Sequence, residues 1–470
     1  MDELLHYASL TAVADLIEKR ALSPVELTEA MLSRVAEVDK SLLSYATVTA
    51  DRAVAAAKKA EAEISSGAYK GLLHGVPIAV KDLCFTKSVE TVGGLKVRQG
   101  FVPSFDATVV KKLEAAGAVL LGKLNLTEGA LSGYHPDFDI PVNPWNSKLW
   151  AGVSSSGSGV ATAAGLCFAC LGTDTGGSIR YPSMANGIVG LKPSYGRVSR
   201  HGVLELAETL DHVGPMARTV KDVAAMFEVI AGGDAHDETC LNEEVPTIVN
   251  SLKLTLSGYK IGLDERYVTT GTNLGLMKAI EKAITVLAEL GAEIVPVSMP
   301  EDGPAELRAA WVPVTAYEAL QAHSETYPSR ADEYGGYLGD VLKLGLKMSK
   351  SDYEKAMTLR TQIAARFEQK LAGVDAVICP SGGSVFEVEK EIQYGDMETL
   401  KPVIKNFQGQ FTIPADLAGT PAITVPCGFS ETGSPYALQF LGSKLSEQTL
   451  CQIAYAYEQA TEWHLKHPQY

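Results

Sequence analysis

Residues 106–125, DATVVKKLEAAGAVLLGKLN, read as a helix, a stop at Gly117 and then a short apolar strand. The same alternation extends in both directions. Upstream, GVPIAVKD (75–82) is a short apolar run with β-branched residues, the pattern of a buried strand. Downstream come YKIGL (259–263), a helix around GLMKAIEKAITVLAELG (275–291), AEIVPV (292–297), a long helix over 351–372 and VDAVICP (374–380). Strands alternating with helices predict an α/β protein with a largely buried sheet. Residues 9–66 read as three helices, one of them opened by a capping box, SPVE (23–26), with Pro24 at the first helical position. No repeat period, low-complexity tract or clean linker interrupts the chain. One domain over 1–470 is expected, with N-terminal helices to 66, a core over 71–220, and 221–470 as the remainder of the same domain.

Composition narrows the function. A net charge of −15 argues against a nucleic-acid or anionic-membrane surface, since phosphate binding needs clustered Lys and Arg. The N-terminal stretch MDELLHYASLTAVADLIEKRAL is acidic and amphipathic, unlike a signal peptide, and no apolar run reaches membrane-spanning length. Seven cysteines, an odd number in a long chain, point away from a disulfide framework and towards a reducing cytoplasm.

The chemistry centres on LGTDTGGSIR (171–180), where Ser178 follows two glycines. Such a serine fits a turn, an anion cradle or a nucleophile. Upstream, AGVSSSGSGVATAAGL (151–166) runs from a Ser/Gly loop into a small-residue helix, so the loop is expected to be ordered. Lys81 ends the strand in PIAVKD. A lysine there is ordinarily a solvated terminus, or a partner for Asp82. Buried, it would lose its proton more readily and could replace histidine as the base that activates a serine.

The order Lys81, Ser/Gly loop, GTDTGGSIR and GIVGLKPSYGRVS (187–199) resembles the amidase signature family of serine hydrolases. The likeness runs from TEAMLSRVAEVD (28–39) to PAITVPCG (421–428) and TEWHLKHP (461–468), and is densest over 71–220. It implies a large mixed β-sheet flanked by helices on both faces and hydrolysis of C–N bonds other than peptide bonds, with no cofactor. It also implies a catalytic set of Ser178 as nucleophile, Lys81 as base and a bridging serine after a cis peptide bond. Counting 24 positions back from Ser178 gives Ser154. Val153 and Ser156 stand where the family usually has glycine, and Ser155 and Ser156 compete with Ser154 for the bridging role. Backbone N–H groups of Thr175, Gly176, Gly177 and Ser178 are expected to form the oxyanion hole, because glycine lets the backbone approach closely. Asp174 and Arg180 are read as an ion pair bracing the loop.

Substrates implied are small carboxamides, with esters and carbamates, including urethanes, as further candidates. Homodimers are common in the family. One branch of it is the glutaminase subunit of tRNA-dependent amidotransferases. That branch carries an acid shortly before Thr-Ile-Pro, whereas NFQGQFTIP (406–414) offers Gln408, Gly409 and Gln410, so a free-standing amidase is favoured. A silent anion-binding protein is the alternative of another class. Tyr134, Phe138 and Trp145, in the aromatic loop over 132–150, are candidates for the substrate pocket, together with Tyr317.

Other signals are weaker. Cys167 and Cys170 have C-x-x-C spacing in an apolar stretch with no second pair, and read as buried, as do Cys84, Cys379 and Cys427. His464 and His467 lack a carboxylate cluster, so no metal is expected. His201 and His212 are read as packing or surface residues, because the lysine and two serines already complete a proton path.

Overall fold

A computed structural model describes residues 5–470. The stretch 106–125 folds as a helix over Thr108–Ala115 and a strand over Val119–Leu124, with Gly117 at φ +84° between them. Glycine is required twice over at that turn. The backbone is left-handed, and a Cβ would lie 2.2 Å from the His74 ring.

Among the described residues eleven strands form one sheet: β1 (Tyr45–Val48), β2 (Pro77–Lys81), β3 (Val119–Leu124), β4 (Ala169–Asp174), β5 (Val189–Lys192), β6 (His212–Ala217), β7 (Lys260–Leu263), β8 (Glu293–Pro296), β9 (Ala376–Pro380), β10 (Ala422–Phe429) and β11 (Pro435–Leu441). Their order is β1-β3-β2-β4-β6-β5-β10-β11-β9-β7-β8. Parallel pairs (β2 with β3 and β4, β7 with β8 and β9) sit among antiparallel ones, so the sheet is mixed. Strands β2, β3, β4, β5 and β6 are buried at every residue, and of these β2 and β3 read in the sequence as short apolar runs without alternation. Strand β1, at one edge, alternates between half-buried and exposed residues. It escapes the sequence reading because four residues are too few to set a period.

The three expected N-terminal helices are Leu10–Glu18, Pro24–Leu42 and Ala50–Ser65. Ser23 caps the second by accepting from Val25 N and Glu26 N. Its own hydroxyl donates to Glu61, however, so the expected reciprocal box with Glu26 is replaced by a tie to the third helix. A two-way box does form at Ser349 and Asp352, opening Lys350–Leu371. Among the described residues no helix is long and apolar enough to cross a membrane.

Candidate active site

Strands β2 and β4 run parallel as neighbours, with Ala79 beside Cys170 and Val80 beside Leu171. Their carboxyl ends therefore emerge at the same edge of the sheet. Lys81 is the last residue of β2, and Asp174 the last of β4. The Ser/Gly loop meets them there, because the helix Ser156–Ala163 that it opens is buried throughout and packs against both strands.

Lys81 is fully buried. Its Nζ lies 2.7 Å from Ser154 Oγ, 3.0 Å from Ser155 Oγ and 2.8 Å from Thr173 Oγ1. Among the described residues no carboxylate touches it. Burial without a counter-ion therefore disfavours the ammonium form and lowers the lysine to about 7, against weaker opposing pulls from Cys84, Asp174 and Asp211. The peptide bond between Val153 and Ser154 is cis. Ser155 N–H donates to Ser178 O at 3.3 Å, tying the two serine loops together.

The acid expected to neutralise Lys81 is engaged elsewhere. Asp82 accepts from Lys123 Nζ at 2.9 Å, Val92 N at 2.9 Å and Gly93 N at 3.1 Å. Lys123, on β3, is as buried as Lys81 but has a carboxylate. Two buried lysines on adjacent strands are thus electrostatically different.

Asp174 organises the loop around Ser178. It accepts from Gly177 N at 2.5 Å, Ile179 N at 3.0 Å and Arg180 Nε at 3.1 Å, while Arg180 also donates to Asp416 at 2.6 Å and Thr412 O at 2.9 Å. Burial alone would raise the Asp174 carboxyl. The Arg180 guanidinium outweighs it and holds the acid well below the usual carboxylate range. Asp416 is the member of this network that sequence reasoning did not find, since it lies 236 residues from Arg180. Asp174→Asn should leave the buried guanidinium short of one charge and lower stability by about 3–5 kcal/mol. A urea midpoint equal to that of the parent protein would contradict this.

The paired glycines have a steric reason. A Cβ on Gly176 would come within 3.0 Å of the Trp311 indole, and one on Gly177, at φ +132°, within 2.4 Å of the Tyr181 ring. Each glycine thus has an aromatic ring packed where a side chain would begin. Thr412 Oγ1 lies 2.8 Å from Gly176 O and 2.6 Å from Tyr181 Oη, and Trp311 Nε1 donates to Thr175 O at 2.8 Å. Ser178 itself is half-buried at the mouth of this arrangement.

The pocket candidates separate. Tyr134 is buried, with its hydroxyl 2.7 Å from Ser156 Oγ, so it braces the serine loop. Phe138 is half-buried and edge-on to His135. Trp145 donates to Asn186 O at 2.8 Å and packs on Phe429, at the far end of the helix Arg180–Asn186. Tyr317 stacks on Tyr353 at 4.4 Å. His212 is buried and neutral, its ring lowered by burial and by Lys192, with Nδ1 3.2 Å from Asp174 O. His201 stacks between Phe105 and His236. Trp311, six residues before Tyr317 on the same helix, is the residue that the sequence reading missed.

A family model described as Amidase matches residues 26–451. The chain belongs to the amidase signature family. A putative amidase, AmiD, of Mycobacterium tuberculosis is 41% identical over 99% of this chain and 97% of its own length. A glutamyl-tRNA(Gln) amidotransferase subunit of Acaryochloris marina is 36% identical over 98% of this chain and all of its own. Among solved structures, the native peptide amidase of Stenotrophomonas maltophilia superposes with a TM-score of 0.83 at 30% identity, covering 97% of each chain. The protein is accordingly an amidase, and its large mixed sheet is that of the amidase signature fold.

Proposed function

We propose that this amidase cleaves neutral carboxamides, and esters or carbamates of similar shape, through an acyl-enzyme on Ser178, with Lys81 as base and Ser154 as proton carrier. The observation that carries the proposal is the surroundings of the Lys81 amine. A neutral amine has two N–H donors and one lone pair. Ser155 Oγ is in contact with both the carbonyl and the N–H of Thr173, at 3.2 Å each, so its own proton is directed away from the lysine. Ser155 therefore accepts from the amine. The Ser154 and Thr173 hydroxyls have no other side-chain partner among the described residues, and the lone pair is assigned to Ser154 because its loop is tied to Ser178 O through the Ser155 N–H.

The steps follow from that arrangement. Lys81 takes the Ser154 proton, Ser154 takes that of Ser178, and Ser178 Oγ attacks the carbonyl carbon. The oxyanion is received by loop N–H groups. Of the four expected, that of Gly177 is engaged by Asp174, which leaves Thr175, Gly176 and Ser178 as the donors. The proton returns along the same path to the leaving nitrogen, and water then releases the acid.

A neutral substrate is favoured by the segment before Thr412. Gln408 Nε2 donates to Gly271 O, and Gln410 lies against Thr270 O and Gln408, so no acid in 406–414 awaits an ammonium group. The likeness to the amidotransferase subunits supports glutamine as the competing substrate. Amine or ammonia release should be measured from aryl amides, aliphatic amides, carbamates and glutamine, with Ser178→Ala as blank. Turnover of neutral substrates without glutamine is expected. Release from glutamine alone would overturn the proposal.

A further inference from the structure

Each peptide unit of the loop before Ser178 is held by its carbonyl. Trp311 Nε1 donates to Thr175 O at 2.8 Å, Thr412 Oγ1 to Gly176 O at 2.8 Å, and Tyr181 N to Gly177 O at 2.7 Å. In a trans peptide the C=O and N–H point in opposite directions, so fixing the oxygen fixes where the following N–H aims. The Gly177 N–H is already turned onto Asp174. Those of Gly176 and Ser178 meet no protein acceptor among the described residues. These two groups differ in what holds them. The Ser178 N–H is aimed by backbone, the first turn of the next helix. The Gly176 N–H is aimed by one side chain, that of Trp311 on the helix Pro304–Ala322, which lies 136 positions from Thr175 in sequence.

We propose that Trp311 is a positioning residue of the oxyanion site: its indole N–H, by holding the Thr175 carbonyl, points the Gly176 N–H at the developing oxyanion. The inference rests on the Ser178 acyl-enzyme reading and adds to it. Two independent features of the indole agree with the role. Its ring edge lies 3.0–3.1 Å from where a Gly176 Cβ would be, a tight contact that a larger residue there would press against. Trp311 is also only half-buried, in contrast to Trp150, which is buried between Phe386 and Phe407. It packs on the apolar cluster that includes Leu307 and Val314, which holds the ring while its N–H reaches the loop.

Trp311→Phe keeps an aromatic ring and removes the donor. Loss of a direct oxyanion donor costs about 10²–10³ in kcat, so losing the group that aims one should cost about 10- to 100-fold, with KM within about threefold. A trifluoromethyl ketone, which forms a tetrahedral oxyanion adduct with the serine, should lose affinity by the same factor. The matching secondary alcohol, which forms none, should not. Labelling of Ser178 by a fluorophosphonate counts folded sites in both proteins. A kcat and a ketone affinity within about twofold of the parent, or equal losses for ketone and alcohol, would overturn the role of Trp311. A parent protein left unlabelled at Ser178 would overturn the acyl-enzyme reading, and this proposal with it. Should Trp311→Phe not fold, replacing Trp311 by 3-benzothienylalanine, which keeps the shape and puts sulfur in place of N–H, is read in the same way.

Discussion

Lys81→Met is expected to lower kcat/KM by about 10⁴-fold or more while the protein stays folded, and Ser178→Ala to do the same. Methionine has nearly the length of lysine and is at home in a core. It withdraws an amine that has no counter-ion, and Ser155 keeps its contacts to Thr173. The fold therefore loses little. The same substitution on the adjacent strand should behave in the opposite way. Lys123→Met strands the Asp82 carboxylate, which is 1% exposed, and should cost about 3–5 kcal/mol of stability. Steady-state kinetics with a urea melt on both variants is the check. Near-parent activity in Lys81→Met would sink the assignment of the base.

A steep acid limb in the pH profile is the second large effect. Lys81 is lowered to about 7, and only its neutral form has a lone pair for the Ser154 proton. Below that value each pH unit should reduce kcat/KM about tenfold, so pH 5 lies about 100-fold under the plateau. Above it the rate should level off. The direction follows from the cause: burial disfavours the ammonium form, so the proton leaves at lower pH than from a lysine in water. Lys192 is the control, because burial lowers it too, to about 8, yet among the described residues its Nζ donates only to Pro193 O, at 3.0 Å. Lys192→Met should leave the acid limb in place. A profile flat from pH 5 to 8 in the parent protein would refute the neutral-lysine mechanism.

The limits of sequence reading are visible at individual residues. Lys81 and Ser178 stand out because each sits in a local pattern, a strand end and a paired-glycine turn. Ser154 could be counted to, but not chosen over Ser155. The choice depends on where the Ser155 proton points, and that is decided by the Thr173 backbone on another strand. The expectation that Gly177 contributes to the oxyanion hole came from its place beside the nucleophile, whereas the Asp174 carboxylate takes its N–H first. Trp145, in the aromatic loop, and Tyr317 are pocket candidates on their aromatic character alone. One is held by Asn186 and Phe429, and the other by Tyr353.

Local chemistry encodes the helix and strand periods, the turn at Gly117, the buried runs of β2 and β3, and the motif that places the chain in its family. Only the tertiary structure decided the protonation of Lys81, the partner of Asp82, the third member of the Asp174–Arg180 network and the place of Trp311. The physical reason is the same in each case. A period or a turn is set by neighbours in the chain, whereas a pKa, an ion pair or an aimed N–H is set by whatever packing brings within about 3 Å, from any distance along the chain.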